Sequence, residues 1–403
     1  MEGPAEMSTG SSTGSTETGE AAVDLLYGEV EEELRASVRA LLADKCPAEA
    51  VLARVETDEV ADGALAKELA GLGAVGLPLP EALGGAGASW REASVVAEEL
   101  GRAVAPVPFL GSAVLATAAL QEAVALAEKG SAGVEADTEA GPEALRSLAT
   151  GDAWGALAVP LATAPPVGAA FPAAVRAQGG RLTGTVGGVV DALPADLLLV
   201  PALGPGGSEL YLVEAGDAEV KGLTTLDLTR PLADVELDGA PGRLLASGEA
   251  AERAVARALR TGAALLAAEQ LGTAEWALEA TVAYLKTRTQ FGRPVGSFQA
   301  LKHRLADLWV SIAQARAVVR AAADTAGEDT EEARINASMA QAFVSGVAVK
   351  AAEEAVQLHG GIGFTWEHPA HLYLKRAKSA AIALGTADRH RALLAGLVEL
   401  PSA

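Results

Sequence analysis

The sequence is poor in residues that form crosslinks or bind metals. Cys46 is the only cysteine among 403 residues, which excludes an intrachain disulfide and a four-cysteine metal site. His359 has no partner His, Cys or carboxylate at the spacing of metal ligands. We therefore predict no metal site, and cytoplasmic residence is the simplest interpretation.

Basic and aromatic residues are also scarce. The 31 Lys and Arg residues are outnumbered by 53 Asp and Glu residues, for a formal net charge of -22, which argues against nucleic acid as a partner. A polyanionic ligand such as coenzyme A would need a local basic patch. Aromatic residues make up 4% of the chain, so helix contacts must rely on close approach of small side chains.

Long hydrophobic runs are missing as well. No uninterrupted apolar run approaches the roughly 18 residues of a membrane span, and the N-terminus has no basic segment followed by an apolar one. Residues 1–22 contain little that can be buried and are predicted to form a disordered tail. The 50% apolar content still supports sizeable cores in a chain of two or three domains.

The hydrophobic period changes twice along the chain. Residues 23–150 have helical spacing, residues 151–248 contain short apolar or alternating runs typical of an antiparallel β domain, and residues 249–403 return to helical spacing. The predicted C-terminal helices cover residues 250–286, 298–326, 331–358, about 370–382 and 387–398. Gly262 and Gly272 lie inside the first of them, where small residues would let a helix or ligand approach closely.

Two glycine-bearing helix ends carry the strongest functional signal. The first, from Arg288, reads Arg-Thr-Gln-Phe-Gly-Arg-Pro-Val-Gly-Ser-Phe-Gln-Ala-Leu-Lys-His, and the second, from Gln357, reads Gln-Leu-His-Gly-Gly-Ile-Gly-Phe-Thr-Trp-Glu. Arg288 offers a planar fork of donors for a pyrophosphate, and Phe291 offers an aromatic face for adenine. Three glycines within four residues let a pyrophosphate approach backbone amides, whereas a plain helix cap needs only one.

The two segments, with helices between them, resemble the signature segments of the acyl-CoA dehydrogenase family, and the resemblance covers nearly all of the chain from about residue 23. It implies an α+β fold with an N-terminal helical domain, a middle β domain and a C-terminal four-helix bundle. It also implies FAD held between neighbouring subunits, with Arg288 and Phe291 of one chain and Gln357 to Gly361 of another reaching the same cofactor. The residues that it implies for FAD are Arg288, Gln290, Phe291, Val295, Phe298, Gln357, Gly360, Gly361, Thr386 and Asp388.

The resemblance fails at the catalytic base. In the family a glutamate removes the α proton of an acyl thioester as hydride leaves the β carbon for the flavin, which needs a carboxylate close to that carbon. The usual position, directly before the last Gly-Thr, is Leu384, and the position used by a minority of the family is Gly262. The remaining candidates are Asp388, four residues after Leu384, and Glu269, two helical turns beyond Gly262 and about 10 Å further along the axis.

The polar neighbours of the flavin ring are also reduced. Family members usually have a Thr-Glu-Pro-x-Ala-Gly-Ser-Asp-like loop and a Trp-Ile-Thr strand beside the ring, whereas this chain has residues 161–168 and 188–191, which supply few of those polar contacts. The densest basic segments, residues 372–378 and 389–391, are either a patch for coenzyme A or flavin phosphates or a solvated helix face.

Three hypotheses remain open at this level. The chain is a dehydrogenase that uses an unassigned base, a flavin-holding subunit completed by a catalytic homologue, or a scaffold that has lost the cofactor. The partners implied by the resemblance are an acyl-CoA or acyl-carrier thioester, electron-transfer flavoprotein or a similar acceptor, and a homo-oligomer (dimer or tetramer) or a hetero-oligomer. The sequence does not identify the acyl group.

Overall fold

The computed structural model describes residues 25–57, 59, 61–131, 137–165 and 171–399. The predicted tail, residues 1–22, lies outside the described residues. The described chain has mixed helical and strand content in the predicted order: helices, a β sheet, then helices again.

The N-terminal part is helical, as its hydrophobic period predicts. Its helices are α1 (Glu29–Lys45), α2 (Ala48–Arg54), α3 (Gly63–Gly71), α4 (Trp90–Ala103), α5 (Thr117–Glu128) and α6 (Ala140–Thr150). Helix α4 begins at a capping box in which Ser89 accepts from its first turn and Glu92 accepts from the Ser89 backbone. A π-helix, Phe109–Ala116, leads directly into α5, and such turns are often found at functional sites.

The continuous helix Phe109–Glu128 corrects one expectation from the sequence. It is long and apolar enough, by length and composition, to cross a membrane, although 78% of the apolar window is buried inside the protein. That degree of burial is typical of a core helix in a soluble protein.

The middle part is one eight-stranded sheet. Its strands are β1 (Gly155–Leu157), β2 (Val175–Gln178), β3 (Arg181–Val190), β4 (Leu197–Gly204), β5 (Gly207–Glu214), β6 (Glu219–Gly222), β7 (Leu232–Pro241) and β8 (Arg243–Ser247). The order is β6-β7-β3-β2-β4-β5-β8, with β1 paired to β4. Most pairs are antiparallel, as the spacing of the apolar runs predicts, whereas β1 and β2 both pair with β4 in parallel.

The sheet is buried on both faces. Along β4, Leu198 and Val200 belong to a core inside the sheet domain, whereas Leu197 and Leu199 belong to the larger core shared with the helices. Alternate side chains of a strand point to opposite faces. A continuous run of leucines is therefore compatible with a strand at this position.

The C-terminal part packs around one long helix. Helix α7 (Glu249–Thr287) spans 39 residues, and it packs with α8 (Gln299–Thr325) and α9 (Glu331–His359), while α10 (Ala370–Ala380) and α11 (Ala387–Leu397) complete the bundle against α9. A short hairpin, β9 (Thr289–Gln290) and β10 (Arg293–Pro294), joins α7 to α8.

Glycines set the distance between α4 and α7. A Cβ atom on Gly272 would collide with the backbone carbonyl of Glu98, and one on Gly101 would collide with the carbonyl of Glu269. The two helices therefore touch backbone to backbone, which confirms the expectation that a small residue at position 272 permits close approach.

A buried cluster of ions joins the three parts of the fold. In α7, Glu269 accepts hydrogen bonds from Arg230, which follows β6, and from Arg376 of α10, whose Nε lies 2.8 Å from the carboxylate. Arg376 also donates to the backbone oxygen of Thr229, at 3.1 Å. Nearby, the carboxylate of Asp191, after β3, accepts from the amide of Gly111 in the π-helix at 2.7 Å.

The pKa values in this cluster diverge because the charged neighbours differ. Burial alone would raise the pKa of Glu269, but Arg230 and Arg376 lower it to about 2. Burial raises the pKa of Asp191 to about 6. Glu269 therefore stays ionised as the anion of a paired, buried site.

We predict that Gly272→Ala destabilises the protein although alanine is the better helix former. The added methyl would force α4 and α7 apart, at a cost of roughly 1–3 kcal/mol. Urea unfolding measures the change. The matched control is Gly346→Ala in α9, whose Cβ would meet open space, so it should be neutral or stabilising by up to about 1 kcal/mol. Equal effects of the two substitutions would contradict the close approach.

We also predict that Glu269→Gln lowers the free energy of unfolding by about 3–5 kcal/mol, because two buried arginines lose their carboxylate. Because the pKa of Glu269 is lowered, its contribution is complete above the ordinary value of 4.5 and is lost as the pH falls towards 2. Glu353→Gln is the control, since Glu353 forms a half-exposed pair with Lys378 that solvent screens to less than about 1 kcal/mol. An unchanged stability of Glu269→Gln would rule out the ion cluster.

Candidate functional site

The first signature segment forms a projecting hairpin at the end of α7. Two residues with positive φ, Phe291 at 52° and Gly292 at 75°, form the turn between β9 and β10, as expected for a two-residue hairpin of type I′. Phe291 lies at the tip and is 91% exposed. Its ring meets that of Phe298 edge-on, with centroids 6.1 Å apart, so the hairpin presents an aromatic surface to solvent.

The remaining predicted residues of this segment lie around the hairpin. Arg288 and Gln290 are exposed, whereas Val295 and Phe298 are half-buried. The backbone of Arg288 is fixed, since its amide donates to Tyr284 and its carbonyl accepts from Val295. The side chains of Arg288 and Phe291 are thus held on a fixed backbone and point away from the core.

The second segment follows α9. Gly360 has a φ of 67°, and Gly360 and Gly361 both face open space, whereas Gly363 packs against the carbonyl of Val356. Gln357 is exposed. Two of the three glycines therefore leave backbone accessible from outside, and the third is required by packing within the chain.

The two segments lie side by side in one chain. Tyr284, in the last turn of α7, stacks on His359 with ring centroids 4.5 Å apart. His359 is buried and donates from Nδ1 to the carbonyl of Ala355 at 2.7 Å, so its ring forms a hydrogen bond within the chain. This adjacency does not support the expectation that one chain supplies Arg288 and another supplies Gln357 to the same cofactor.

The two positions at which the family places its base meet in an apolar contact. A Cβ on Gly262 would lie 3.0 Å from Cδ1 of Leu384 and 2.5 Å from Cδ2 of Leu115, which belongs to the π-helix. Leu384 is 0% exposed. Its φ of 53° is held by two hydrogen bonds, from its amide to Leu161 and from Nε2 of His390 to its carbonyl, at 2.7 and 2.9 Å.

The two candidate bases lie in unfavourable surroundings. Glu269 is buried between Arg230 and Arg376 and holds a pKa of about 2, which makes it a weak proton acceptor. The side chain of Asp388 is 91% exposed and pairs with Arg391 at 2.7 Å. Thr386 caps α11 by accepting from the amide of Arg389. Thr386 lies two residues after Leu384, and Asp388 lies in the first turn of α11.

The basic segments near the C-terminus do not form an open patch. Arg376 is engaged by Glu269, Lys378 pairs with Glu353 at 2.7 Å, and Arg391 pairs with Asp388. Lys375 lies 4.1 Å from the ring of Trp366. Their charges are used in contacts within the chain, which favours a helix face over a patch that binds coenzyme A or flavin phosphates.

A basic cavity that sequence reasoning missed lies near the first turns of α7. It has a volume of about 500 Å³, and its lining includes Arg253, Arg257, Arg260, Arg334, Glu122, Asp329 and the apolar Leu393 and Leu397. Burial lowers the pKa of Arg260 to about 10 and lowers that of Arg257, and Nε of Arg260 is buried without a hydrogen-bond partner. An anionic ligand would accept a hydrogen bond from Nε of Arg260 and would stabilise the charged forms of Arg260 and Arg257.

A sequence signal for this cavity exists in α7. Arg253, Arg257 and Arg260 recur at intervals of four and three residues, which places them on one helical face. Glu122, Asp329 and Leu393 come from distant parts of the chain, so the cavity itself is visible only in the fold.

The comparisons with known proteins agree with this geometry. The family model described as "Acyl-CoA dehydrogenase, N-terminal domain" matches residues 28–132, and the one described as "Acyl-CoA dehydrogenase, C-terminal domain" matches residues 252–398. Acyl-CoA dehydrogenase IpdE2 of Mycobacterium tuberculosis is 37% identical over 88% of this chain and 92% of its own length.

Solved structures show the same fold. A chain from the ChsE4-ChsE5 complex of Mycobacterium tuberculosis is 30% identical with a TM-score of 0.79, covering 94% of this chain and 100% of that one. A chain of the Tcur3481-Tcur3483 steroid ACAD, in its G363A variant, is 31% identical with a TM-score of 0.77, covering 92% and 98%. The chain belongs to the acyl-CoA dehydrogenase family, the FAD-dependent oxidoreductases that introduce a double bond into acyl-CoA thioesters.

Proposed function

We propose that this chain is a subunit of an FAD-dependent acyl-CoA dehydrogenase that lends a binding segment to the flavin of a neighbouring subunit, and that a homologous neighbour supplies the catalytic base. The observation that carries this proposal is the buried contact of Leu384 with Gly262. Neither a leucine side chain nor a glycine can accept the α proton of a thioester.

The flavin half-site in the proposal consists of the adjacent segments at the end of α7 and α9. Its residues are Arg288, Gln290, Phe291, Val295, Phe298, Gln357, Gly360 and Gly361. The stacking of Tyr284 on His359 supports their joint use by one cofactor, so one chain provides both segments. The exposed Phe291 ring would stack on adenine, and Arg288 would meet the pyrophosphate.

The length of α7 supports a cofactor shared between chains. Gly262 and Arg288 are 26 residues apart, which corresponds to about 39 Å at 1.5 Å per residue. An extended dinucleotide is shorter than this distance. One flavin therefore cannot contact both Gly262 and Arg288 in one chain, and we infer that the Arg288 segment serves a flavin whose ring lies in another subunit.

The region around Leu384 and Gly262, where the flavin ring would lie (the ring side), has few polar side chains compared with the segments at the ends of α7 and α9. Thr386 and Asp388 stay in the proposal as polar residues of the ring-side loop, but Leu384 fills the place of the base and Gly188 to Val190 offer no polar side chain. This division between an intact half-site at one end and an apolar ring side at the other favours a mixed oligomer over an independent enzyme. The match to a chain of the ChsE4-ChsE5 complex supports association of two different chains.

The substrate proposed is an acyl-CoA or acyl-carrier thioester. The cavity lined by Arg253, Arg257, Arg260 and Arg334 sets four cations against the carboxylates of Glu122 and Asp329, with which they pair, and the remaining excess of positive charge would favour a phosphate-bearing ligand. We further propose electron-transfer flavoprotein or a similar protein as acceptor, cytoplasmic residence, and domain limits at 150/151 and 248/249. Those limits coincide with the end of α6 and the start of α7.

We predict that Arg288→Ala weakens FAD binding by tenfold or more, because a charge-assisted contact is worth roughly 1.5–3 kcal/mol. Flavin retained after gel filtration at a series of protein concentrations measures the change. Lys286→Ala removes an equally basic, exposed side chain two residues away and should change binding less than about twofold. Wild-type affinity in Arg288→Ala would remove Arg288 from the site.

We predict that the purified homomeric protein reduces its flavin slowly or not at all with acyl-CoA thioesters, because base catalysis contributes roughly 10²- to 10⁴-fold. Anaerobic mixing with short, long and steroid side-chain thioesters, followed at the flavin absorbance band, measures reduction, and dithionite shows that the flavin is reducible. Co-expression with a homologue that carries the glutamate should restore rapid bleaching.

Rapid bleaching by the homomer would overturn the assignment of the base to a neighbour. Asp388→Asn and Glu269→Gln would then identify the base. If Glu269 is the base, Glu269→Gln will lose more activity than folded protein. If Glu269 is only structural, the activity and the amount of folded protein will fall in proportion.

A further inference from the structure

Three of the five histidines of the chain lie together beneath the loop that follows α9. The rings of His359 and His368 are 4.4 Å apart, and His359 also stacks on Tyr284 of α7. His371, in the first turn of α10, meets the ring of Trp366 at 4.7 Å. We name this group, His359, His368 and His371, the histidine stack.

Each member of the histidine stack is accommodated as a neutral ring. His359 is 4% exposed and donates one N–H, from Nδ1, to Ala355. His368 uses Nδ1 as an acceptor for the amide of Ala370, at 3.2 Å. His371 is 8% exposed, and neither of its ring nitrogens has a hydrogen-bond partner of acceptable geometry among the described residues. A second proton on His359 or His371 would be a buried charge, which is costly, and a second proton on the half-buried His368 would remove the acceptor of the Ala370 amide.

The charged groups around the histidine stack are mainly positive. From α10, Lys375 lowers the pKa of His371, and a proton on His359 would act on His368, whose ring is 4.4 Å away. From α7, the facing group is the neutral phenol of Tyr284. Glu367, next to His368, is exposed to solvent, and Asp227 of the sheet domain acts on Lys375. Protonation of the histidines would therefore place positive charges close to one another and to Lys375.

The loop above the histidine stack carries the second flavin segment. Residues 360–367 begin with the open Gly360 and Gly361 and continue to the exposed Phe364 and Trp366. Tyr284 on one side and Lys375 on the other complete the contacts beneath it. The conformation of this loop therefore depends on two nearly buried imidazole rings, His359 and His371, whose protonation would bury a charge.

We propose that the histidine stack is a proton-sensitive latch, which holds the loop of residues 360–367 in place while its rings are neutral and releases that loop in mildly acidic solution. The consequence for flavin rests on the proposed function, because it requires the segment from Gln357 to Gly361 to contact the cofactor.

The direction of the pH dependence follows from burial. Burial lowers the pKa of His359, His368 and His371 from the ordinary value of 6.5; proximity to His359 lowers that of His368 further, and proximity to Lys375 and His368 lowers that of His371 further. A group with a lowered pKa in the folded state contributes its full stability above 6.5 and loses it as the pH falls through the folded-state value. The loop is therefore held at neutral pH and is released as the pH drops below about 6.5.

Hydrogen exchange of the full-length flavin-loaded protein, read on a peptide covering residues 357–372, tests the latch. We expect exchange protection, corrected for intrinsic rates, to fall roughly tenfold or more from about pH 7.5 to about pH 5.5. In the double variant His368→Gln/His371→Phe, which cannot titrate at two of the three positions, most of that loss should disappear. His303→Gln is the control, since His303 is exposed on α8, and it should behave as wild type.

The outcomes separate the latch from the flavin assignment. Equal loss of protection in the double variant and the wild type, or no loss in the wild type, would overturn the latch. His371→Gln replaces His371→Phe if the double variant is unprotected at neutral pH. If protection falls as expected while flavin stays bound, the latch is supported and the assignment of Gln357 to Gly361 to the flavin site is wrong.

Discussion

The buried pairing of Glu269 with Arg230 and Arg376 is the interaction on which the arrangement of the molecule depends. Each partner comes from a different part of the chain: Glu269 from the middle of α7, Arg230 from the sheet domain and Arg376 from α10. Removing Glu269 would leave two buried arginines without this carboxylate, which costs more than the intact pairing contributes. The pairing fixes the sheet domain against the bundle, and it also turns a carboxylate near the ring side into a structural anion.

Helix α7 also positions the other residues that the proposed function uses. Its first turns present three arginines to a cavity, its position 262 packs against Leu384 and Leu115, its position 272 touches the backbone of α4, and its end presents the hairpin with Phe291. Because the rise of a helix is fixed, these features lie at set distances along one axis. The distance between the contact at Gly262 and the exposed hairpin is a direct result of that geometry, and it is the basis of the proposal that one cofactor is shared between subunits.

The charged side chains also differ between the region of the cavity and the end of α7. The chain is strongly acidic, yet four arginines line one cavity, where they pair with Glu122 and Asp329. The proposed half-site at the end of α7 has few charges of its own, and the rings of His359 and His368 in the histidine stack lie 4.4 Å apart. The proposed binding of flavin phosphates would therefore rely on a few placed donors and backbone amides, with little help from the overall field.

The sequence by itself determined the helices, the two flavin segments and the absence of a glutamate at positions 262 and 384, because hydrophobic period and local motifs depend on neighbouring residues. The bundle helices end within one or two residues of the predicted limits. The sequence did not reveal β2, β6 and β8, since short, partly polar strands are stabilised by pairing with distant strands, nor the parallel pairing at β4. Only the tertiary structure decided that Arg376 is buried in an ion cluster, that Leu384 meets Gly262, that four arginines share a cavity and that the two segments lie together, because each of these contacts joins residues far apart in the chain.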